Sequence, residues 1–182
     1  MNRLTTAIMI VGCAFAGAAA LLASGHSAAS PRPVWSEAAW PFPMDQWGKG
    51  KAFICKASDC GVAVTVFIRA KIGFCNCSTG VADDDELDRI SDYDLFDNKL
   101  AAQGEGGPIA VAWMKGRARA FGFTGALHGA KSALSVGFND RCDAIIATAV
   151  VDAGSPKGVE QAVLGFLNGP TVLRWAEVTL GL

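Results

Sequence analysis

The sequence predicts an α+β fold: a mostly antiparallel sheet built from hairpins, one well-defined C-terminal helix and disulfide staples, behind an N-terminal signal or anchor segment. Three observations carry this prediction. Short β-branched and aromatic runs succeed one another with turn formers between them. One segment, 156–168, has apolar residues at helical spacing between a good start and a good stop. Cysteines 55, 60, 75, 77 and 142 follow an export-type hydrophobic stretch, which makes them a disulfide framework before they are anything else.

That stretch, residues 4–23, is 20 residues long and follows the single basic residue Arg3. With small residues at Ser27 and Ala29, it fits a secretory signal occupying residues 1–29 and cut before Ser30. Its length also suits a bilayer span, so an uncleaved leader would hold the protein at the inner membrane through residues 4–23. Either fate places the remainder outside the cytoplasm, periplasmic or secreted. The tetrapeptide Ile10-Val11-Gly12-Cys13 has the look of a lipidation box, but apolar residues follow it where a polar tether belongs, so Cys13 reads as a small apolar residue.

Residues 30–50 form a Pro/Trp-rich approach segment with Trp35, Trp40 and Trp47, read as lying over an open face of the domain and closing its core. Residues 51–182 then make a single α+β domain. Its first hairpin joins 52–55 to 62–69 through a turn at 56–61. A second joins 109–114 to 117–123 around Lys115 and Gly116; a third joins 133–138 to 142–151 around Asn139 and Asp140. Shorter helices are expected at 84–90 and 92–102, each opening with acids that suit a helix start, and a glycine-rich loop at 104–107. Ser155 caps the main helix, Pro156 begins it, and Gly169 with Pro170 stops it. The chain closes with a strand at 171–180.

The cysteine spacing narrows the chemistry. Cys55 and Cys60 flank the first turn and can bond across it, whereas a bond between Cys75 and Cys77 would close a very small ring. Cys142 therefore takes one of that pair, leaving one thiol over; a crossed pairing of Cys60 with Cys75 or Cys77 stays open. The alternative reading of Cys75-Asn76-Cys77 is a two-thiolate grip on copper or zinc, or a redox site. It lacks the four ligands of a structural zinc site, and the histidines are only His26 and His128. No metal or other cofactor is expected.

The net charge of −1 conceals a segregation: residues 83–97 hold eight acids against Arg89. The missing glycine of a calcium loop argues against a cation site at Asp92, Asp94 and Asp97. The run reads instead as a solvated helical face, with Asp83, Asp84, Asp85, Glu86, Asp88, Asp92 and Asp94 as the candidate surface for a protein partner. Lys115, Arg117, Arg119 and Lys131 could form a modest basic patch for a carboxylate, a lipid headgroup or the acidic face of a partner, or be simply solvated; with neither the total charge nor any long run strongly basic, nucleic acid is not an expected partner. The sequence carries no GxSxG, HExxH, CxxC or phosphate loop, and His128 has no evident partner, which points away from an enzyme. The expectation is an exported envelope protein, a non-catalytic accessory or binding module that docks on a periplasmic or membrane partner through its acidic face.

Overall fold

A computed structural model describes residues 33–96, 100–124, 131–152 and 154–182. The leader at 4–23, Cys13, His26, the cleavage position, Asp97 and His128 lie outside the described residues.

The strands are β1 (Trp35–Ala38), β2 (Lys51–Cys55), β3 (Val64–Lys71), β4 (Leu100–Ala102), β5 (Gly107–Val111), β6 (Met114–Phe123), β7 (Ser132–Asp140) and β8 (Asp143–Val151). They form one antiparallel sheet in the order β1-β2-β3-β8-β7-β6-β4, with β5 also paired to β6. The helices are α1 (Ala57–Cys60), α2 (Asp84–Ile90), α3 (Glu160–Leu167) and α4 (Pro170–Leu180), with 3-10 turns at Tyr93–Phe96 and Pro156–Gly158.

Alternate residues of each strand face opposite ways, and the two faces differ in kind. One face presents Val64, Val66, Ile68, Leu134, Val136, Phe138, Ile145, Ala147 and Ala149, and packs on Val163 and Leu167 of α3 and on Val172 and Ala176 of α4. The other presents Phe67, Arg69, Lys71, Arg117, Arg119, Ser135, Ile146 and Thr148, and is covered by α2, the turn Tyr93–Phe96 and segments 40–47 and 72–83.

The approach segment is built into this unit. β1 is the sheet's edge strand, where a proline-rich neighbourhood does least harm, and Trp35 stacks on Phe166 of α3 with ring centroids 4.5 Å apart. Trp40 packs edge-on to Phe67, and Trp47 lies against Phe74, both on the charged face.

Three expectations need correction. Residues 171–180 are α4, not a strand. Pro170 supplies a preset first helical position, Gly181 ends the helix in the left-handed region, and buried Val172 and Ala176 sit one turn apart, so packing overrides the strand preference of Val, Thr and Trp. The chain thus closes on two helices, and Gly169-Pro170 links them. The expected helix at 92–102 resolves into the turn Tyr93–Phe96 and the strand β4, with 97–99 outside the described residues.

The turns of the second and third hairpins are displaced as well. They fall at Ala112-Trp113 and Arg141-Cys142, where Ala112 and Arg141 take positive φ of 51° and 52° although neither is glycine. A tertiary contact holds the first and a local one the second: the Ala112 N–H donates to Asn168 Oδ1 at 2.7 Å, and the Arg141 carbonyl accepts from Asn139 Nδ2 at 2.8 Å. Gly116, expected in a turn, lies within β6, where a Cβ would come 2.0 Å from the Gly137 carbonyl oxygen. Its glycine serves strand packing.

Candidate functional site

The acidic segment and the basic strand β6, read from sequence as two separate surfaces, meet each other. Asp83 caps α2 by accepting the Glu86 N–H at 2.8 Å. Asp84 pairs with Arg117 and lies 3.6 Å from Arg119, and Asp88 pairs with Arg119 at 2.7 Å. Beyond the helix, Asp92 is 3 % exposed, accepts two hydrogen bonds from Arg69, at 2.6 and 2.7 Å, and forms an ion pair with Lys71 at 2.8 Å. Asp45 completes this group by pairing with Arg69 at 2.5 Å.

The register explains why α2 lies where it does. Arg117, Gly137, Ile146 and Arg69 form one row across β6, β7, β8 and β3. Three strand spacings cover ~14 Å; the six helical steps from Asp84 to Ile90 cover ~9 Å, and the extended step through Ser91 to Asp92 supplies the rest. The segment is therefore bolted at both ends of the row, and Leu87 fills its middle. A Cβ on Gly137 would come 2.8 Å from Leu87 Cδ1, so the missing side chain is what admits the helix.

The electrostatics follow from this geometry. The Arg117 guanidinium, aided by the Gly106 amide, holds the Asp84 carboxyl below its ordinary range. Arg89 does the same for Glu86, and the Asn76 N–H adds to it. Burial alone would raise Asp45, but hydrogen bonds from Arg69 and Trp47 outweigh it and lower the group. For Arg69, burial opposes the charge while Asp92 and Asp45 more than restore it. Burial, reinforced by the charge of Asp88, pushes the Tyr93 hydroxyl up, and that hydroxyl donates to Asp88 at 3.0 Å. Of the seven acids read as a docking surface, Asp83, Asp85 and Asp94 are exposed and form no ion pair among the described residues, Asp83 being engaged only as the helix cap.

Two disulfides join Cys55 to Cys60 and Cys77 to Cys142, and they indicate an oxidising compartment, extracellular or periplasmic. Cys75 and Cys77 are thus not a thiolate pair. Cys75 keeps its thiol, is 6 % exposed and donates to the Arg141 carbonyl at 3.2 Å. Burial, with the nearby charges of Glu86 and Asp143, raises that thiol above its ordinary range, which makes it a poor nucleophile. Among the described residues no cluster of three or more His, Cys, Asp or Glu side chains is placed to hold a metal ion, and no helix is long and apolar enough to cross a membrane.

Sequence reasoning did not find the cleft between α4 and the β1–β3 edge. It has a volume of about 380 Å³ and is lined by Phe53, Ile68, Val172, Trp175 and Val178, with Glu37, Lys51, Thr171 and Arg174 at its rim. Thr171, Arg174, Trp175 and Val178 recur every three or four residues, which puts them on one side of α4. Val172 and Ala176 occupy the side that meets the core. The signal was present as this second stripe, but it becomes visible only once 170–180 is read as a helix. No known protein family matches the chain, nor does any curated protein or solved structure.

Proposed function

We propose that the protein is an exported, non-catalytic binding module of the cell envelope, and that the cleft between α4 and the β1–β3 edge is its binding surface. One observation carries this reading. Most of the acids that would attract a partner are engaged inside the molecule, while the cleft leaves Trp175 and Val178 facing an open apolar hollow, with Val178 76 % exposed. Binding sites for small molecules are concave, largely apolar and edged by a few polar groups, with volumes of roughly 300–1,000 Å³, and this cleft has those properties.

Titration with the neutral solvatochromic dye Nile red tests it. A blue-shifted, saturable signal in the parent chain and its loss in Val178→Glu are expected; an unchanged signal in the variant counts against the cleft. Val178 is exposed, so circular dichroism of the variant should match the parent.

A second reading retains a protein partner, met by the outward acids Asp85 and Asp94, with Asp83 beside them. Their exposure supports it. Gentle crosslinking in intact envelopes should capture a partner that is lost on combining Asp85→Asn with Asp94→Asn; capture unaffected by those changes would remove this reading.

A further inference from the structure

The cleft combines an apolar hollow with an unequal set of rim charges. Phe53 and Ile68 form its floor at 5 % and 1 % exposure, and Trp175 and Val178 line it from α4. Lys51 is already paired with Glu37 at 2.5 Å, so these two charges offset one another. Arg174 forms no ion pair among the described residues. It lies one helical turn before Val178 and next to Trp175. The rim therefore holds one positive charge in excess, on a guanidinium, whose fork of donors matches a carboxylate or phosphate head.

We infer that the cleft takes a single-chain amphiphile with one anionic head, its chain on Phe53, Ile68, Trp175 and Val178 and its head at Arg174. The inference rests on the cleft being the binding surface. The volume of about 380 Å³ lies at the lower end of small-molecule sites and suits a single flexible chain. With Glu37 and Lys51 offsetting one another, Arg174 alone is left to meet the head, which matches a single negative charge.

The test compares sodium laurate, 1-dodecanol and phosphatidylglycerol vesicles by calorimetry on the full chain, with Arg174→Gln, Arg174→Lys and Val178→Glu. Laurate should bind about fivefold more tightly than dodecanol, the scale of one partly exposed charge pair. Arg174→Gln should abolish that preference without weakening dodecanol, Arg174→Lys should restore part of it, and Val178→Glu should weaken both. Equal binding of laurate and dodecanol in the parent chain overturns the anionic head and leaves the cleft reading standing. Binding to vesicles with none to free laurate also overturns the inference, because a membrane surface is then the ligand. Failure of laurate, dodecanol and Nile red alike removes the cleft reading itself.

Discussion

On one face of the sheet Val64, Val66, Ile68, Val136, Phe138 and Ile145 meet α3 and α4, and among the described residues the buried charged side chains, Arg69, Lys71 and Asp92, all lie on the opposite face. On the other, Arg69, Lys71, Arg117 and Arg119 project from β3 and β6 to meet Asp84, Asp88 and Asp92. Neighbouring residues of the same strands thus serve two different ends. Burial on the apolar face is favourable in many arrangements, because dispersion and the hydrophobic effect are not directional. The charged face gains little net energy from its pairs, since desolvation offsets their attraction. What it adds is position: matching Asp84 to Arg117 and Asp92 to Arg69 leaves α2 one place to sit.

The contrast can be broken most sharply at Asp92. Asp92→Ala leaves Lys71 buried without an acid and Arg69 with Asp45 alone, and should cost about 4 kcal/mol in urea unfolding. Combining Arg69→Met, Lys71→Met and Asp92→Leu should cost less than Asp92→Ala by itself. If the combined variant is the less stable of the two, the pairs contribute stability and not only position. On the apolar face Leu167→Ala should cost about 3 kcal/mol through the cavity it opens.

Acid separates the faces again. Asp45, Asp84 and Glu86 are held below their ordinary values of 3.8, 3.8 and 4.5. Between the folded and unfolded values the unfolded chain binds more protons, so stability rises with pH there. Their contribution is complete above the ordinary values and is lost as pH falls through the lower folded ones. The thermal midpoint should therefore drop below about pH 4, and Asp84→Asn should flatten that drop while Leu167→Ala shifts the whole curve without changing its shape. The smallest effect belongs to the exposed acids: Asp85→Asn should alter stability by less than about 0.5 kcal/mol.

The sequence made α2, the hairpins and the local Cys55–Cys60 staple readable because each depends on residues close in the chain. The Asp83 cap and the helical spacing of Leu87 and Ile90 are of this kind. What it concealed depends on contacts distant in sequence. Ala112 takes positive φ because Asn168, 56 residues on, holds its amide. The acids looked solvated because no pattern within 83–97 reveals that Arg117 and Arg69 stand at matching places in one row of the sheet. For the cleft, reading 171–180 as a strand hid the stripe that lines it; propensity misled there, and Pro170 was the better guide.

The oxidation of this chain poses a choice between near-equals. Cys142 can in principle meet Cys75 or Cys77, and the two rings differ by only two residues, so chain entropy barely distinguishes them. The Cys75 amide even donates to the Cys142 carbonyl at 3.1 Å. Selection falls to the folded interior, which encloses the Cys75 sulfur and leaves Cys77 at the surface. The folded packing therefore favours the Cys77–Cys142 pairing, and Cys75→Ala is expected to raise the yield of that isomer on refolding, as read by peptide mapping under non-reducing conditions.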